Sequence, residues 1–403
     1  MGSKKQSLYY KWLILAACFL LMAVPFSIFN TVHTIFINPV TEALNFSLSS
    51  FSLIFTISGL VIASVSAIIG NLLNKINIKV IMTTGALLFG LSFIAYSFAS
   101  AIMMFYFITL FSAVGIACIS IIPISTMINN WFGEQKGFAM GVAFSGMGIG
   151  SFIFMPIVSR IIQGFGYRSA YVFLGFIILA TALPICLFIV RRGPELAFEN
   201  EKIAEKSSSA TKNIFNKFIK NLIFWIFAMG MFIMGLAIAG VQIHVQPYLG
   251  YLNYSLIYSA KIGSLLSLFA VIGNVLGGII FDRLELKKAL LLLGGLSLIG
   301  IICLFLSENN LFPYIFAVTF GLSLSLSTLW PSYSVGIIFP EENYSVMLGI
   351  VNMFFTLGGA VGPFISGVLG DTIGYKAAWI LYSAFTVLYL FMFIRSMKRE
   401  IVN

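Results

Sequence analysis

Long apolar runs without charge dominate this sequence. No charged residue occurs within Val80–Gly133, Asn221–Ala260 or Met347–Gly370. A helix needs about 20 apolar residues to cross a lipid bilayer, and these runs reach or exceed that length. Only 9% of the residues are charged, whereas a soluble domain carries about 25%. The composition therefore excludes a water-soluble fold and predicts a membrane protein.

The apolar runs predict twelve transmembrane helices. The predicted spans are residues 10–35, 49–71, 79–98, 102–129, 138–163, 169–190, 221–246, 256–281, 289–306, 312–338, 346–370 and 375–394. With both termini in the cytoplasm, 19 of the 23 basic residues face inward, and only Arg160, Arg168, Lys261 and Lys376 do not. This asymmetry follows the positive-inside rule. We expect a multi-pass plasma-membrane protein with cytoplasmic termini, from a bacterium, and the net charge of +10 gives no reason to expect nucleic acid.

The two halves of the chain repeat each other. "GNLLNKINIKV" after span two matches "GIIFDRLELKK" after span eight at an offset of 208 (278 minus 70). Further matches at offsets of 207 or 208 are Pro123 with Pro331, Pro156 with Pro363, and Gly166-Tyr167 with Gly374-Tyr375. A polar stretch at residues 191–219 separates the halves. We predict a six-helix bundle at 1–190, a cytoplasmic loop at 191–219 and a second six-helix bundle at 220–403.

The loop after span eight carries the residues of a transporter motif. Gly278, Asp282, Arg283 and Lys287 fit the pattern Gly-x-Leu-x-Asp-Arg-x-Gly-Arg-Arg/Lys, and the copy after span two has Asn74 in place of the acid. On these residues the chain resembles the major facilitator superfamily over essentially its full length. The resemblance implies two pseudo-symmetric six-helix bundles that expose one site to each side in turn. It also implies that Asp282 and Arg283 form a conformational lock; the alternative is a solvated turn whose charges only set topology.

Two stretches resemble a narrower group, the monocarboxylate and oxalate/formate transporters. They are "NNWFGEQKGFAMGVAFSGMGIGSFIFMP" (129–156) and "QIHVQPYLGYLNYSLIYSAK" (242–261). In that group an Arg eight residues before the loop Asp holds the substrate carboxylate, but this chain has Asn274 there. Arg binds a carboxylate through a charged bidentate fork, whereas Asn offers only hydrogen bonds. A carboxylate cargo would thus need another cation.

Arg160 and Lys261 are the candidates for that cation. They lie four to five residues inside the outward ends of spans five and eight, which face one another in the superfamily. A cation inside a span is costly unless it reaches the interface or has a functional partner. The two residues therefore either extend to lipid headgroups or attract an anionic solute.

The sequence offers few groups that could carry a coupling proton. No acidic residue lies deep in a predicted span, so a buried carboxylate is not expected to bind the proton. His33 and His244 lie near the outer ends of spans one and seven, and an unperturbed imidazole titrates near 6.5. Either histidine could instead hydrogen-bond a backbone carbonyl. The pattern favours uniport, exchange as in an antiporter, or movement of a protonatable solute.

The remaining substrate-binding candidates are polar or aromatic residues of spans one, seven and ten: Asn30, Gln242, Trp330 and Tyr333. A wall of aromatic and hydrogen-bonding groups suits a small organic solute, although each aromatic could serve only in packing. Two small-residue patterns, Gly146-x-x-x-Gly150 and Gly273-x-x-x-Gly277, predict close helix contacts.

The sequence thus indicates a secondary transporter of a small organic solute, with a monocarboxylate-like organic anion as the first choice. The alternative is an exporter of amphipathic drugs or toxic compounds. A transport-inactive sensor would need an additional soluble domain, and no catalytic or metal-ligating set supports an enzyme. We expect a monomer whose partners are the solute and membrane lipid, with no cofactor, no metal and no nucleic acid.

Overall fold

A computed structural model describes residues 2–132, 135–191, 221–338 and 344–397. Within these ranges the regular structure is helical and contains no strand, as predicted. The first eight α-helices are α1 (Gly2–Leu21), α2 (Ser27–Asn30), α3 (Ile37–Leu44), α4 (Leu48–Lys75), α5 (Ile78–Tyr96), α6 (Ile102–Ala117), α7 (Ile121–Phe132) and α8 (Lys136–Pro184). They are followed by α9 (Leu222–Tyr251), α10 (Leu256–Arg283), α11 (Leu286–Phe305), α12 (Phe312–Ser323), α13 (Ser325–Ile338), α14 (Tyr344–Thr372) and α15 (Tyr375–Met397).

Eleven helical segments among the described residues are long and apolar enough to cross a membrane. One of them, Lys136–Ile189, is 54 residues long, which is enough for two spans. Its helix is interrupted at Gly166, whose φ of 80° and ψ of 165° are not helical. Spans five and six are therefore two helices joined at this glycine, and the twelve predicted spans are confirmed.

The first span departs from a regular α-helix at two places. A π-helical turn at Met22–Phe26 contains Pro25, and a 3₁₀ turn covers Val32–Phe36 before α3 begins. Proline cannot donate a backbone hydrogen bond and clashes with the preceding turn, which accounts for the π-helical turn. The helical path continues to Leu44, nine residues beyond the predicted end at residue 35.

The described residues group into two compact units. The first unit contains the residues up to Phe46 and those from Ile57 to Arg191, and the second contains Ser47–Thr56 and the residues from Asn221 onward. The predicted first bundle, residues 1–190, includes Ser47–Thr56. Apart from Arg191, the predicted central loop lies outside the described residues, so the domain boundaries at 190 and 220 stay predictions.

Glycines allow close backbone contact within each unit. In the first unit a Cβ on Gly146 would lie 2.5 Å from the Phe19 carbonyl oxygen, and one on Gly150 would overlap the carbonyl of Ala23. In the second unit a Cβ on Gly273 would lie 2.6 Å from the Leu322 carbonyl oxygen. Both predicted Gly-x-x-x-Gly patterns are thus helix contacts, of α8 with the first span and of α10 with α12 and α13.

Candidate functional site

Asn274 lies on α10 with its side chain exposed, next to the start of α13. The Thr328 hydroxyl of α13 donates a 2.8 Å hydrogen bond to Asn274 Oδ1. The Thr328 hydroxyl also lies 3.1 Å from the Ser325 carbonyl oxygen. In this arrangement the amide oxygen of Asn274 faces Thr328, and the nitrogen with its two N–H donors points away from it. The nitrogen has no hydrogen-bond partner among the described residues. Asn274 stands where the monocarboxylate and oxalate/formate transporters carry an Arg. It presents a neutral N–H donor at that position.

Asp282 is held at the end of α10 by the same helix, α13. The Tyr333 hydroxyl donates a 2.6 Å hydrogen bond to Asp282 Oδ1, and its ring stacks on Phe281 with centroids 5.0 Å apart. A hydroxyl bonded to a carboxylate is a charge-assisted hydrogen bond. Asp282 is exposed, as is Arg283, which has no ion pair in the described part of the chain. The pairing places Tyr333 against the motif acid, and the locking role of Asp282 and Arg283 stays a proposal.

Trp330, the third candidate near α13, is buried in the core of the second unit. Its side chain is 0% exposed and its ring lies 5.0 Å from that of Phe393. The indole nitrogen has no hydrogen-bond partner among the described residues. The ring therefore contributes to packing, and its N–H is the one group of the side chain that lacks a hydrogen-bond acceptor.

The two other candidates of the second unit lie on α9 and α10. Gln242 is half-buried on α9, and its amide has no hydrogen bond to a described residue. Lys261 is exposed on α10, and its ammonium nitrogen lies 5.3 Å from the centroid of the Tyr314 ring. This cation–π contact is worth about 0.5–1 kcal/mol at an exposed site. Lys261 thus keeps its charge available at the surface of this unit.

In the first unit, Asn30 and Arg160 are accessible polar candidates. The half-buried Asn30 side chain donates weakly to Thr31 Oγ1 at 3.4 Å and to Met147 Sδ at 3.8 Å. Arg160 is exposed on α8 and has no ion pair within the described ranges. Both side chains therefore retain donors that a solute could use.

His33 lies inside an aromatic cluster of the first unit. The imidazole is 3% exposed, and its Nε2 lies 3.1 Å from the Tyr171 hydroxyl. The rings of Phe93 and Tyr96 lie 5.4 Å from it. The Tyr171 hydroxyl is thus one polar partner of His33. This geometry supports a packing role for His33 more than contact with a solute.

His244 occupies a different environment, with both ring nitrogens in hydrogen bonds. Nε2 lies 2.9 Å from Ser52 Oγ, and Nδ1 lies 3.2 Å from the Tyr375 hydroxyl. The imidazole is 0% exposed. Its partners come from the start of α4 and from α15, so His244 of α9 connects three helical segments of the second unit.

Sequence reasoning missed Ser52, Thr328, Asp371 and Tyr375 as polar partners. Asp371 accepts hydrogen bonds from backbone amides more than 300 positions away in the sequence. No local pattern could have signalled this pairing, because any acid at a helix end fits a solvated turn equally well. Tyr375 did carry a signal, since it follows one of the repeated glycines.

Comparison with known proteins agrees with this architecture. The family model for the Major Facilitator Superfamily matches residues 15–336, most of the chain. The chain belongs to the Major Facilitator Superfamily. It is therefore a membrane transporter protein and not an enzyme.

Several curated relatives share about a quarter of their residues with this chain. Mouse monocarboxylate transporter 12 is 27% identical, with 96% of this chain and 86% of that protein covered. The uncharacterized MFS-type transporter YcxA of Bacillus subtilis is 24% identical, with 91% and 90% covered.

Solved structures confirm the fold. The nucleoside transporter NupG superposes with a TM-score of 0.81 at 12% identity, covering 95% of this chain and 99% of that one. A bacterial homolog of the human lysosomal transporter Spinster, solved in an inward-facing and unoccupied conformation, gives 0.77 at 14% identity, with 96% and 97% covered.

Proposed function

We propose that this transporter carries a small monocarboxylate-like organic anion by alternating access across the plasma membrane, with both termini in the cytoplasm. The observation that carries the proposal is the full-length similarity to monocarboxylate transporter 12, found in mouse and again in human at 27% identity. We further propose that the chain is bacterial and works as a monomer in contact with membrane lipid.

The oriented amide of Asn274 supports an oxygen-rich solute. Thr328 occupies the Asn274 oxygen and leaves the two N–H groups to donate. A carboxylate accepts several hydrogen bonds and offers no donor, so it matches this arrangement. Asn30 and Gln242 are proposed as further hydrogen-bonding residues of the site, with Tyr333 as its aromatic member. Trp330, the other aromatic candidate, is buried and is assigned to packing.

Arg160 and Lys261 are the proposed sources of positive charge. Each is exposed and lacks a carboxylate partner among the described residues. Lys376 provides a contrast, because its ammonium group is 2.6 Å from Glu308 Oε1 and is already neutralised. The proposal therefore assigns anion attraction to the first two cations and not to Lys376.

Uptake of radiolabelled short-chain monocarboxylates such as lactate into proteoliposomes tests the proposal. We expect saturable uptake, with KM raised about tenfold or more in Arg160→Gln or Lys261→Gln, because a hydrogen bond to a charged group contributes about 1.5–3 kcal/mol. Asn274→Asp should abolish uptake, since it replaces the amide donor by a second negative charge. Lys376→Gln is the matched control and should leave KM unchanged.

The second candidate function is export of amphipathic compounds, which the neutral Asn274 and the aromatic residues around α13 favour. Such an exporter should tolerate neutralisation of Arg160 and Lys261 and should extrude a lipophilic cationic dye from cells. Dye efflux that persists in Arg160→Gln and Lys261→Gln, together with no monocarboxylate uptake, would overturn the anion proposal.

For energy coupling we propose uniport, exchange as in an antiporter, or movement of a protonatable solute. None of the acids in the described ranges lies in the middle of a span: Asp282 and Asp371 stand at the ends of α10 and α14. Under uniport or exchange, an imposed proton gradient should therefore accelerate uptake little in the wild type. Strong acceleration that survives His244→Ala would contradict this proposal.

A further inference from the structure

Aromatic side chains join several span ends at one face of the first unit. Spans one and five begin at the membrane face that carries the N-terminus, and spans four and six end there. The Tyr10 hydroxyl donates a 2.7 Å hydrogen bond to the Ile189 carbonyl, and Trp131 Nε1 donates a 3.3 Å bond to the Arg191 carbonyl. The Tyr10 and Trp131 rings lie 5.2 Å apart. The start of α1 and the end of α7 therefore hold the last residues of span six in place.

Two cations pack on these rings. The guanidinium carbon of Arg191 lies 5.0 Å from the centroid of the Tyr10 ring. The Lys11 ammonium nitrogen lies 5.5 Å from the Trp12 ring and 5.6 Å from the Phe132 ring. A cation within about 6 Å of a ring centroid is attracted by the negative face of the ring. We call this set the basic–aromatic cluster; its members are Tyr10, Lys11, Trp12, Trp131, Phe132 and Arg191.

Most hydrogen-bond donors of the cluster have no acceptor among the described residues. The Arg191 guanidinium carries five N–H donors and bonds to no described side chain or carbonyl. The Lys11 ammonium donates only to Gln135 Oε1, at 3.4 Å, so two of its N–H groups and both N–H groups of the Gln135 amide are left over. A phosphate accepts such bonds strongly, since they are charge-assisted, and Arg can bind it in a bidentate manner. The free donors therefore match a phosphate group.

The position of the cluster in the membrane indicates the source of that phosphate. Trp12 and Leu13 are exposed on span one, and Phe188 is exposed one turn before Arg191 on span six. Tryptophan and tyrosine are enriched at the level of the lipid headgroups. A phospholipid at this place has its phosphate beside Lys11 and Arg191 and its acyl chains beside Leu13 and Phe188. A soluble phosphate would gain only the polar contacts.

Membrane topology alone does not account for this arrangement. Lys79 stands at the start of span three, on the same membrane face, where its exposed side chain contacts no described residue. A cation in such a position already contributes to the positive-inside bias. Lys11 and Arg191 instead lie on rings whose own positions are fixed by hydrogen bonds to the backbone of span six. Their placement is therefore that of a binding site.

We propose that the basic–aromatic cluster binds the headgroup of an anionic phospholipid such as phosphatidylglycerol. Arg191 and Lys11 bind the phosphodiester, and the Gln135 amide donates to a headgroup oxygen. A zwitterionic headgroup brings its own cation, which the two basic side chains repel, so the cluster discriminates against phosphatidylcholine. The inference rests on the proposed contact with membrane lipid and names the lipid class and its site.

Native mass spectrometry of the full-length protein in detergent, with added lipid, tests the proposal. The Kd of the tightest phosphatidylglycerol should be about tenfold or more below that of phosphatidylcholine, because each basic residue near the membrane surface attracts an anionic lipid about fivefold. Lys11→Gln and Arg191→Gln should each raise the Kd for phosphatidylglycerol about fivefold and leave that for phosphatidylcholine unchanged. Lys11→Arg keeps the charge and should stay within about twofold of the wild type, which separates loss of charge from misfolding.

Lys79→Gln is the matched control, because it removes one positive charge from the same membrane face without touching the cluster. Its Kd for phosphatidylglycerol should equal that of the wild type. An equal loss in this control, wild-type Kd values in both glutamine variants, or equal affinity for the two lipids would overturn the cluster as an anionic-lipid site. Soluble glycerol phosphate should not displace the lipid, and displacement would overturn the lipid assignment in favour of a free phosphate.

The measurement contains no solute, so its result is independent of the proposed transport of an organic anion. Binding of phosphatidylcholine as tightly as phosphatidylglycerol would remove the headgroup site and leave the proposed contact with lipid intact. Binding of neither lipid would overturn both.

Discussion

Four residues in the described part of the chain have a left-handed backbone: Asn45, Asn253, Gly166 and Gly374. They form two pairs, each separated by the repeat offset of 208. Asn45 and Asn253 follow the first helix of each repeat, and the glycines lie between its last two helices. Asparagine and glycine are the residues that enter this conformation at least cost. Each repeat therefore makes the same two turns with the same residue types.

Gly374→Ala should lower thermal stability, because an alanine at a φ of 97° is strained by about 1 kcal/mol or more. There is space for the methyl group, since no heavy atom lies within 4 Å of a Cβ at this position, so the effect would come from the backbone alone. The measurement is the unfolding midpoint of the purified protein by differential scanning fluorimetry.

Gly295→Ala is the control for that substitution. Gly295 is helical and equally open, so alanine should stabilise α11 slightly through its better helix propensity. Equal midpoints for the two variants would contradict the argument from backbone strain.

Thr328 is a positioning residue if Asn274 binds the solute. Thr328→Val keeps the shape but removes the hydrogen bond to Asn274 Oδ1, which frees the amide to rotate. We expect KM for the monocarboxylate to rise about three- to tenfold, the value of one ordinary hydrogen bond, with little change in kcat. Thr328→Ser should restore the wild-type KM, and a failure of this rescue would contradict the positioning role.

At the scale of helices, contacts between α9 and α14 depend on glycine. A Cβ on Gly358 would overlap the Phe232 carbonyl, and one on Gly235 would overlap that of Phe355. The backbones touch because lipid gives helices no hydrophobic reason to associate, so close van der Waals contact stabilises the pair instead. The same device joins α8 to the first span at Gly150.

Gly358→Ala should therefore destabilise the second unit by about 1–3 kcal/mol, the usual cost of overpacking. Gly349→Ala on the same helix is the matched control, because no atom lies within 4 Å of a Cβ at that position. Thermal unfolding of both variants in one detergent gives the comparison. A larger loss in Gly349→Ala than in Gly358→Ala would refute the contact argument.

At the scale of the whole molecule, twelve spans put both termini on one side. We expect a cysteine at Lys287, between α10 and α11, to react with an impermeant reagent only from the cytoplasm. A cysteine at Asn310, between α11 and α12, should react only from outside in intact cells. Both residues are exposed. Labelling of both cysteines from the same side would contradict the predicted topology.

The sequence predicted the spans and the repeat well because both depend on features read along the chain. Hydropathy sets the spans, and a constant offset reveals the duplication even where residues differ. A further match, "LNFSL" at 44–48 and "LNYSL" at 252–256, was available in the sequence and would have located the Asn45 and Asn253 turns. Residues whose structural role depends only on their neighbours in the sequence were therefore predictable.

The polar contacts were not predictable, because their partners are distant in sequence. His244 was recognised as a candidate, but its Ser52 partner is 192 positions away and its Tyr375 partner is 131 away. Asn274 was identified because it lacks the positive charge of an Arg. Its hydrogen bond with the Thr328 hydroxyl depends on the packing of α10 against α13, which the sequence does not show. Side-chain chemistry fixes what a residue can bind, while tertiary packing decides which group it meets.

The abrupt reversals at Gly166 and Gly374 have a practical consequence. Proteolytic nicking and tolerated insertions concentrate at exposed, mobile loop tips. Here the connections between adjacent spans are very short: Gly166 alone is non-helical at the first joint, and α15 begins at Tyr375 shortly after α14 ends at Thr372. Digestion of intact cells should spare both joints. An epitope tag or fluorescent reporter inserted there would need its own spacer on each side to leave the adjoining spans undisturbed.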